Sequence, residues 1–546
     1  MVYPRGRKAI GAGVPATIQA VSVPASVGGI NAMDGLMAMP PQDCLYCYNL
    51  MPSEYGMRLR KCYREWATGA SGDVRSLINY ESNSSLVEDK LWAVTENGIY
   101  DVTLFDTTAP VEDVAFTVQG ESSGYGVTTE FTNDASTHYL FYADNDNGIH
   151  QYDDTNGWTV PTGWTYSDGA EPPLQIAFPV DQVCFVTVHK LRIWVILQNS
   201  DDAWYLPIAS VAGELKKFTF GAKAPHGGRL MGLWDWTVDG GDGVDDYLVA
   251  MMKSGDLLVY RGGDPEATDW TTVGSWFIGQ CTQSRKVAIQ AGAELYLLSS
   301  YGITSIRDLL ANSAADITRQ SPAAKIARYL RADVAAGLNK YEWQLVEHPG
   351  DGFFQIVTPE PTNTPYLQYT QNIATRAWGV WRDVPMLCGT SWNGEYFMGG
   401  KDGVVYINDG VLDGVTLDGS NVGEPPSFSV LTSFQSPGGH GQFKRVNMIR
   451  PIGIVGGQVN LNVDAVYDYN IEDVTPDPVP LPPNSASLWN SAYWNAATWN
   501  YAISGTSLPI GTFGMGRAFA VGMAGFADSR ITVVGWDAMF NVGGLL

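Results

Sequence analysis

A strand–turn–strand unit recurs through most of this chain and restricts its fold more than any other feature. Leu91–Val102 turns at Asn97-Gly98, and Tyr139–Ala143 is followed by Asn147-Gly148. Arg192–Leu197 and Ala203–Leu206 flank Asp201-Asp202, while Tyr247–Met252 and Leu257–Tyr260 flank Ser254-Gly255. Glu294–Leu298 and Ile303–Ile306 flank Tyr301-Gly302, Phe353–Val357 and Tyr366–Tyr369 flank a Pro-rich turn, and Glu395–Met398 and Val404–Ile407 flank Asp402-Gly403. The turn glycines lie roughly 50 residues apart, or twice that, the period of four-stranded propeller blades. One hairpin cannot bury its apolar face alone, whereas radial stacking buries every inner face and leaves only short edges. The spacing therefore predicts a β-propeller of six or seven blades over 75–410, against the alternative of unrelated hairpins in sandwich domains. Closure is expected from an early strand such as Val74–Tyr80 pairing in the last blade.

Composition agrees with an all-β chain. There are 60 glycines among 546 residues, 12% of the chain is aromatic and 16% is charged. Helices favour Ala, Leu, Glu and Lys, and strands favour the aromatics seen here. One helix is predicted as an insertion near 321–338: Ser321-Pro322 opens it, Ile326, Leu330, Val334 and Leu338 repeat every fourth residue, and Gly337 can end it. Residues 1–24 read as an extended basic arm, and 25–74 as an irregular segment packed on the body. Beyond 411, alternating stretches such as Phe428–Phe434 and Gln458–Val466 predict a C-terminal β-sandwich or platform domain over 411–546.

The net charge is −24, which argues against a chain that grips nucleic-acid phosphates over its whole surface. Arg5, Arg7, Lys8, Arg58, Arg60, Lys61 and Arg64 nevertheless make the first 66 residues basic, and Arg5, Arg7 and Lys8 form a candidate docking arm. No apolar run reaches the ~18 residues of a membrane span, and the N-terminus lacks the apolar core of a signal peptide. Six thinly spread cysteines suggest folding in a reducing compartment.

The chemistry-bearing patterns are weak. Cys44-Leu-Tyr-Cys47 has zinc-ribbon spacing but no second pair, and the six histidines show no ligand spacing. Asp144-Asn-Asp-Asn-Gly148 and Asp239-Gly-Gly-Asp-Gly-Val-Asp-Asp246 miss the calcium-loop frame and read as acidic turns. Asp153-Asp-Thr-Asn-Gly-Trp158 is at most a degraded sialidase-like turn, and Trp158 is expected to pack between blades. There is no nucleophile elbow and no phosphate-binding loop. The expectation is no catalytic residue, no metal, no cofactor and no enzyme. Trp489, Trp494 and Trp499 stand five apart in a Trp-Asn ladder and form a candidate subunit interface, since Trp concentrates at interface centres.

Several stretches, in this order, resemble the tail nozzle-type proteins of short-tailed bacteriophages. They are Pro24-Ala-Ser-Val-Gly-Gly-Ile-Asn31, Ala38-Met-Pro-Pro41, Asn49-Leu-Met-Pro52 and Arg58-Leu-Arg-Lys61. They continue with Tyr369-Thr-Gln-Asn-Ile-Ala-Thr-Arg-Ala-Trp378, Tyr396-Phe-Met-Gly-Gly-Lys-Asp-Gly-Val-Val-Tyr406, Ser436-Pro-Gly-Gly439, Lys444-Arg445, the Trp ladder and the Gly-Gly-Leu end. Cys44 and Cys47 depart from the family pattern. The resemblance implies a virion protein, assembled in the host cytoplasm into a homo-oligomeric ring, typically a hexamer, at the distal tail end. It would dock on a tail adaptor or tubular ring, carry fibre or spike proteins, and pass viral DNA during ejection without binding it tightly. The alternatives are a receptor- or glycan-binding propeller and a propeller glycoside hydrolase.

Overall fold

In each blade the strand next to the innermost one is buried on both faces, because the neighbouring blades pack against it from either side. Such strands read as continuous apolar runs rather than alternating ones. Leu91, Trp92, Ala93 and Val94 are all fully buried, as are Ile193, Trp194, Val195 and Ile196 and the run Leu248–Met252. The computed structural model describes residues 18–83, 87–167, 169, 174–239, 244–311, 321–359, 366–456, 459–471, 474, 504–506 and 509–543.

Seven blades surround one axis. Blade 1 runs from the axis outward as Ser76–Tyr80, Lys90–Val94, Gly98–Asp101 and Val111–Ala115. Blade 2 is Val127–Thr132, His138–Asp144, Gly148–Asp153 and Gly157–Thr159; blade 3 is Val183–His189, Arg192–Leu197, Asp202–Tyr205 and Lys216–Thr219. Blade 4 is Leu230–Asp239, Val244–Met252, Asp256–Arg261 and Thr271–Phe277. Blade 5 has Ala288–Ala291, Glu294–Ser299 and Gly302–Ser305, followed by the helix Ile306–Ala311 where other blades have an outer strand. Blade 6 is Gln344–His348, Phe353–Val357, Leu367–Asn372 and Trp378–Arg382. A small three-stranded sheet (Trp164–Ser167, Gln175–Ala177 and Gly213–Glu214) sits between blades 2 and 3.

Blade 7 closes the ring. Cys388–Trp392, Glu395–Gly399 and Val405–Ile407 take their outer strand from Arg64–Ala67, with Val405 opposite Ala67 and Ile407 opposite Arg64. This corrects the expected closure: Ser76–Tyr80 is the innermost strand of blade 1, and the strand that pairs into the last blade precedes it. The Asp402-Gly403 turn of this blade presses on the incoming chain. Gly403 has φ +70°, and a Cβ there would lie 1.8 Å from the Ala70 carbonyl oxygen. Gly403→Ala is expected to cost about 2 kcal/mol of stability, read from urea unfolding, because strain and clash act together.

The segment 25–74 is not irregular. It contributes Gly29–Ile30, Asp43–Tyr48, Leu50–Ser53 and Gly56–Leu59 to the second domain, besides the closing strand of blade 7. Within the stretch expected to be an arm, Ile18–Pro24 is a strand, paired antiparallel with Ile531–Val542. The second domain is a sandwich of two sheets. One contains Lys444–Val455, Ile531–Val542, Ile18–Pro24, Gly56–Leu59 and Leu50–Ser53. The other continues blade 6 outward: Trp378–Arg382 pairs in parallel with Asp43–Tyr48, then come Ser427–Thr432, Phe519–Ala527 and Val459–Tyr467. One hydrophobic core accordingly spans sandwich and propeller, joining Val446, Ile449, Phe519 and Trp536 to Trp236, Leu297 and Trp378.

The inserted helix is present as Ala327–Ala336, preceded by a 3-10 turn at Ala324–Ile326. Ser321 accepts the Ala323 amide at 3.1 Å, and Gly337 follows the last turn. Leu330 and Val334 enter the shared core, while Lys325 Nζ reaches Asp43 at 2.8 Å and the Gly28 carbonyl at 3.0 Å. The helix thereby ties the propeller to the N-terminal strands.

Candidate functional site

The sites expected from sequence fall into three groups. Trp489, Trp494 and Trp499, and Arg5, Arg7 and Lys8, lie outside the described residues. Cys44 and Cys47 are fully buried free thiols, and burial pushes the Cys44 thiol well above its ordinary range. The acidic turns at Asp144 and Asp153 are self-satisfied, whereas the turn of Asp239–Asp246, residues 240–243, lies outside the described residues. Asp144 accepts the amides of Asp146 and Asn147 at 2.9 and 2.6 Å and that of Gly124 at 3.1 Å. Asp153 accepts the amides of Thr155 and Asn156, both at 2.9 Å, and Trp158 packs edge-on against Trp92 of blade 1 at 5.1 Å. Among the described residues no group of three His, Cys, Asp or Glu side chains is placed to hold a metal, and no helix is long and apolar enough to cross a membrane.

His150 is a half-buried histidine beside Phe116. Burial lowers its pKa to about 4, and Nδ1 has no hydrogen-bond partner. A depressed histidine pKa means that the unfolded chain binds more protons between the ordinary value of ~6.5 and about 4. Stability should therefore fall as pH drops through that window. His150→Phe should flatten this part of the stability–pH curve measured by urea unfolding.

Sequence reading missed a Ser–His–Asp arrangement between blades 6 and 7. His348 Nδ1 is 2.9 Å from Ser391 Oγ, and Nε2 is 3.4 Å from Asp351. The Ser391 hydroxyl donates to the Glu347 carbonyl at 3.0 Å, and His348 is only 1% exposed. The serine proton is thus engaged by backbone, and the three side chains act as a tie between blades. Burial alone would raise the Asp351 pKa, but hydrogen bonds from His348 and Lys61 bring it below the usual range.

Among the places in the described chain that combine charge with space, two lie where the fold converges. The first is the junction of propeller and sandwich. Here a cavity of about 380 Å³ is lined by Arg58, Lys61, Asp351, Trp381 and Arg530 among others. Arg60 also lines it, and its buried guanidinium makes a two-pronged pair with Asp413 at 2.8 and 2.5 Å and donates to Asn49 Oδ1 at 2.9 Å. Asn49 in turn donates to the carbonyls of Arg382 in blade 6 and Ser427 in the sandwich. The cationic residues 58–61 thus include a structural bolt, Arg60, within what reads in sequence as a basic surface.

The second place is the propeller axis, where all seven innermost strands or the residues beside them line a cavity of about 260 Å³. Polar ties cross it. Gln344 exchanges hydrogen bonds with the Gly389 amide and carbonyl, Thr390 donates to Asn79 at 3.1 Å, and Lys286 Nζ donates to Ser76 Oγ at 2.6 Å and the Arg75 carbonyl at 3.1 Å. Burial lowers the Lys286 pKa to about 8. Arg285 donates to the carbonyls of Leu230 and Met231.

No family model and no curated protein matches the chain. Solved structures similar to parts of it include the WD40 β-propeller domain of Doa1, at 12% identity and TM-score 0.35, covering 63% of this chain and 96% of that one. BBS1N in complex with ARL6DN is similar at 11% identity and TM-score 0.36, covering 64% and 96%. Chaetomium thermophilum Raptor is similar at 10% identity and TM-score 0.34, covering 64% of this chain and 29% of that one. These superpositions are low, and the assignment of an all-β propeller with a fused sandwich rests on the blades themselves.

Proposed function

We propose that this chain is a structural subunit of a short bacteriophage tail, forming a homo-oligomeric ring at the distal end through which the genome leaves. The observation that carries this reading is the continuity of propeller and sandwich through one sheet and one core, which makes each subunit a stiff wedge suited to a load-transmitting ring. Several of the stretches that resemble nozzle-type proteins lie at that joint and at the closure. Asn49 and Arg58–Lys61 lie between the domains, Tyr369–Trp378 lies in the shared sheet, and Tyr396–Tyr406 lies in the closing blade. The conduit would run between subunits. The propeller axis is crossed by side chains and its cavity of about 260 Å³ falls below ordinary ligand pockets, so it is far too small for a duplex whose major groove alone is ~12 Å wide. Adaptor, fibre or spike proteins would dock on the outer faces.

With a net charge of −24, the subunit is expected to let DNA pass without holding it. The test is sizing of the purified full chain, alone and with duplex DNA, across a salt series. A ring-sized species that binds DNA weakly at ~0.15 M salt supports the reading. A monomer at all concentrations, or tight binding with a steep negative salt slope, contradicts it.

A further inference from the structure

The axial cavity carries a charge that the described structure does not balance. Lys286 and Arg285 both line it, and the rest of the lining is neutral: Ser76, Asn79, Thr128, Thr187, Gln344 and Thr390 supply the polar groups. No carboxylate is part of the lining, and among the described residues neither cation stands in an ion pair. In a chain of net charge −24 this is a local reversal of sign at the one point where all the blades converge.

A desolvated cation is costly unless it is paired, and buried charges are ordinarily paired. An ammonium has three donors. Lys286 places one on Ser76 Oγ and one on the Arg75 carbonyl, which leaves one for a ligand. Its lowered pKa, about 8, reflects that desolvation and still leaves the amine charged at neutral pH. Arg285 is held by two blade 4 carbonyls and also lines a neighbouring pocket with Arg229, Gln283 and Tyr341, so its plane is oriented independently of any ligand.

We propose that the propeller axis is a binding site for a small oxyanion of the phosphate class, free or as the head group of a small molecule, received by Lys286 with Arg285 and the surrounding hydroxyl and amide groups. This site is independent of the ring assignment. The cavity volume sets the size limit: it can take a phosphate or a compact phosphate ester, and it excludes a polynucleotide backbone in passage.

The experiment is a thermal-shift and calorimetric titration of the full chain with inorganic phosphate and, separately, with a hexose phosphate. Saturable stabilisation with one site per chain is expected, and comparison of the two ligands distinguishes a free anion from an esterified one. Lys286→Met should weaken the affinity roughly tenfold or more, the usual consequence of losing a buried charged donor. Thr187→Asp, which sets a carboxylate into the lining and leaves Lys286 in place, should abolish binding and serves if Lys286→Met does not fold. Lys216→Ala on the exposed outer strand of blade 3 should leave it unchanged. Absence of a saturable shift for both ligands, or an unaltered affinity in Lys286→Met or Thr187→Asp, overturns the proposal.

Discussion

Arg60→Met is expected to lower the stability of the chain by about 3–5 kcal/mol, the usual cost of removing one partner from a buried ion pair. The Arg60 side chain is 1% exposed and that of Asp413 is 16% exposed, so the pair is largely withdrawn from water. The substitution also removes one of the two donors to Asn49 Oδ1, leaving the Arg382 amide, and Asn49 bridges blade 6 to the sandwich. Urea unfolding measures the loss. A change below about 1 kcal/mol would place Arg60 with ordinary surface ion pairs and contradict its role as a bolt.

Trp378→Ala should cost a comparable ~3–5 kcal/mol. The indole is fully buried in the strand that blade 6 shares with the sandwich, donates to the Pro322 carbonyl at 3.0 Å and meets Phe354 edge-on at 6.0 Å. Trp378→Phe keeps most of the apolar area and should lose less. The more telling readout is the shape of the transition. Because one core runs through both domains, parent and variant should unfold with propeller and sandwich signals superimposed. Separate transitions in the parent would show two independent cores.

Much of the propeller was legible in the sequence because its second strands are buried on both faces and stand out as unbroken apolar runs. All seven hairpins identified in this way lie in the seven blades. The remaining strands were harder to read, for opposite reasons. Ser76–Tyr80 was expected as a strand, but it is half polar because it faces the axis and its pattern does not show which blade it joins, while outer strands such as Val111–Ala115 and Thr271–Phe277 are largely exposed. Arg64–Ala67 is four residues long, mostly half-buried and rich in charge, so nothing in its pattern marks it as the strand that closes the ring. The fate of 25–59 was hidden because its partners lie hundreds of residues away, as in the pairing of Cys44 with Thr432 and of Met57 with Val533.

The charged sites were illegible for the same reason. Arg60 and Asp413 are 353 residues apart, and in sequence Arg60 is indistinguishable from its basic neighbours Arg58 and Lys61. Lys286 lies next to Arg285 just before an ordinary short strand, and only the convergence of the blades places the pair on the axis. Cys44 and Cys47 show the reverse case. Their spacing suggests chemistry, but their complete burial makes them small core residues.

The central functional claim is that a passage for the genome lies between copies of this chain and not through its propeller. Electron-microscope projections of the purified full-length protein test this directly. The account predicts closed rings with an open centre, each subunit contributing one compact lobe to the circumference. Isolated lobes at every concentration, or assemblies without a central opening, would contradict it.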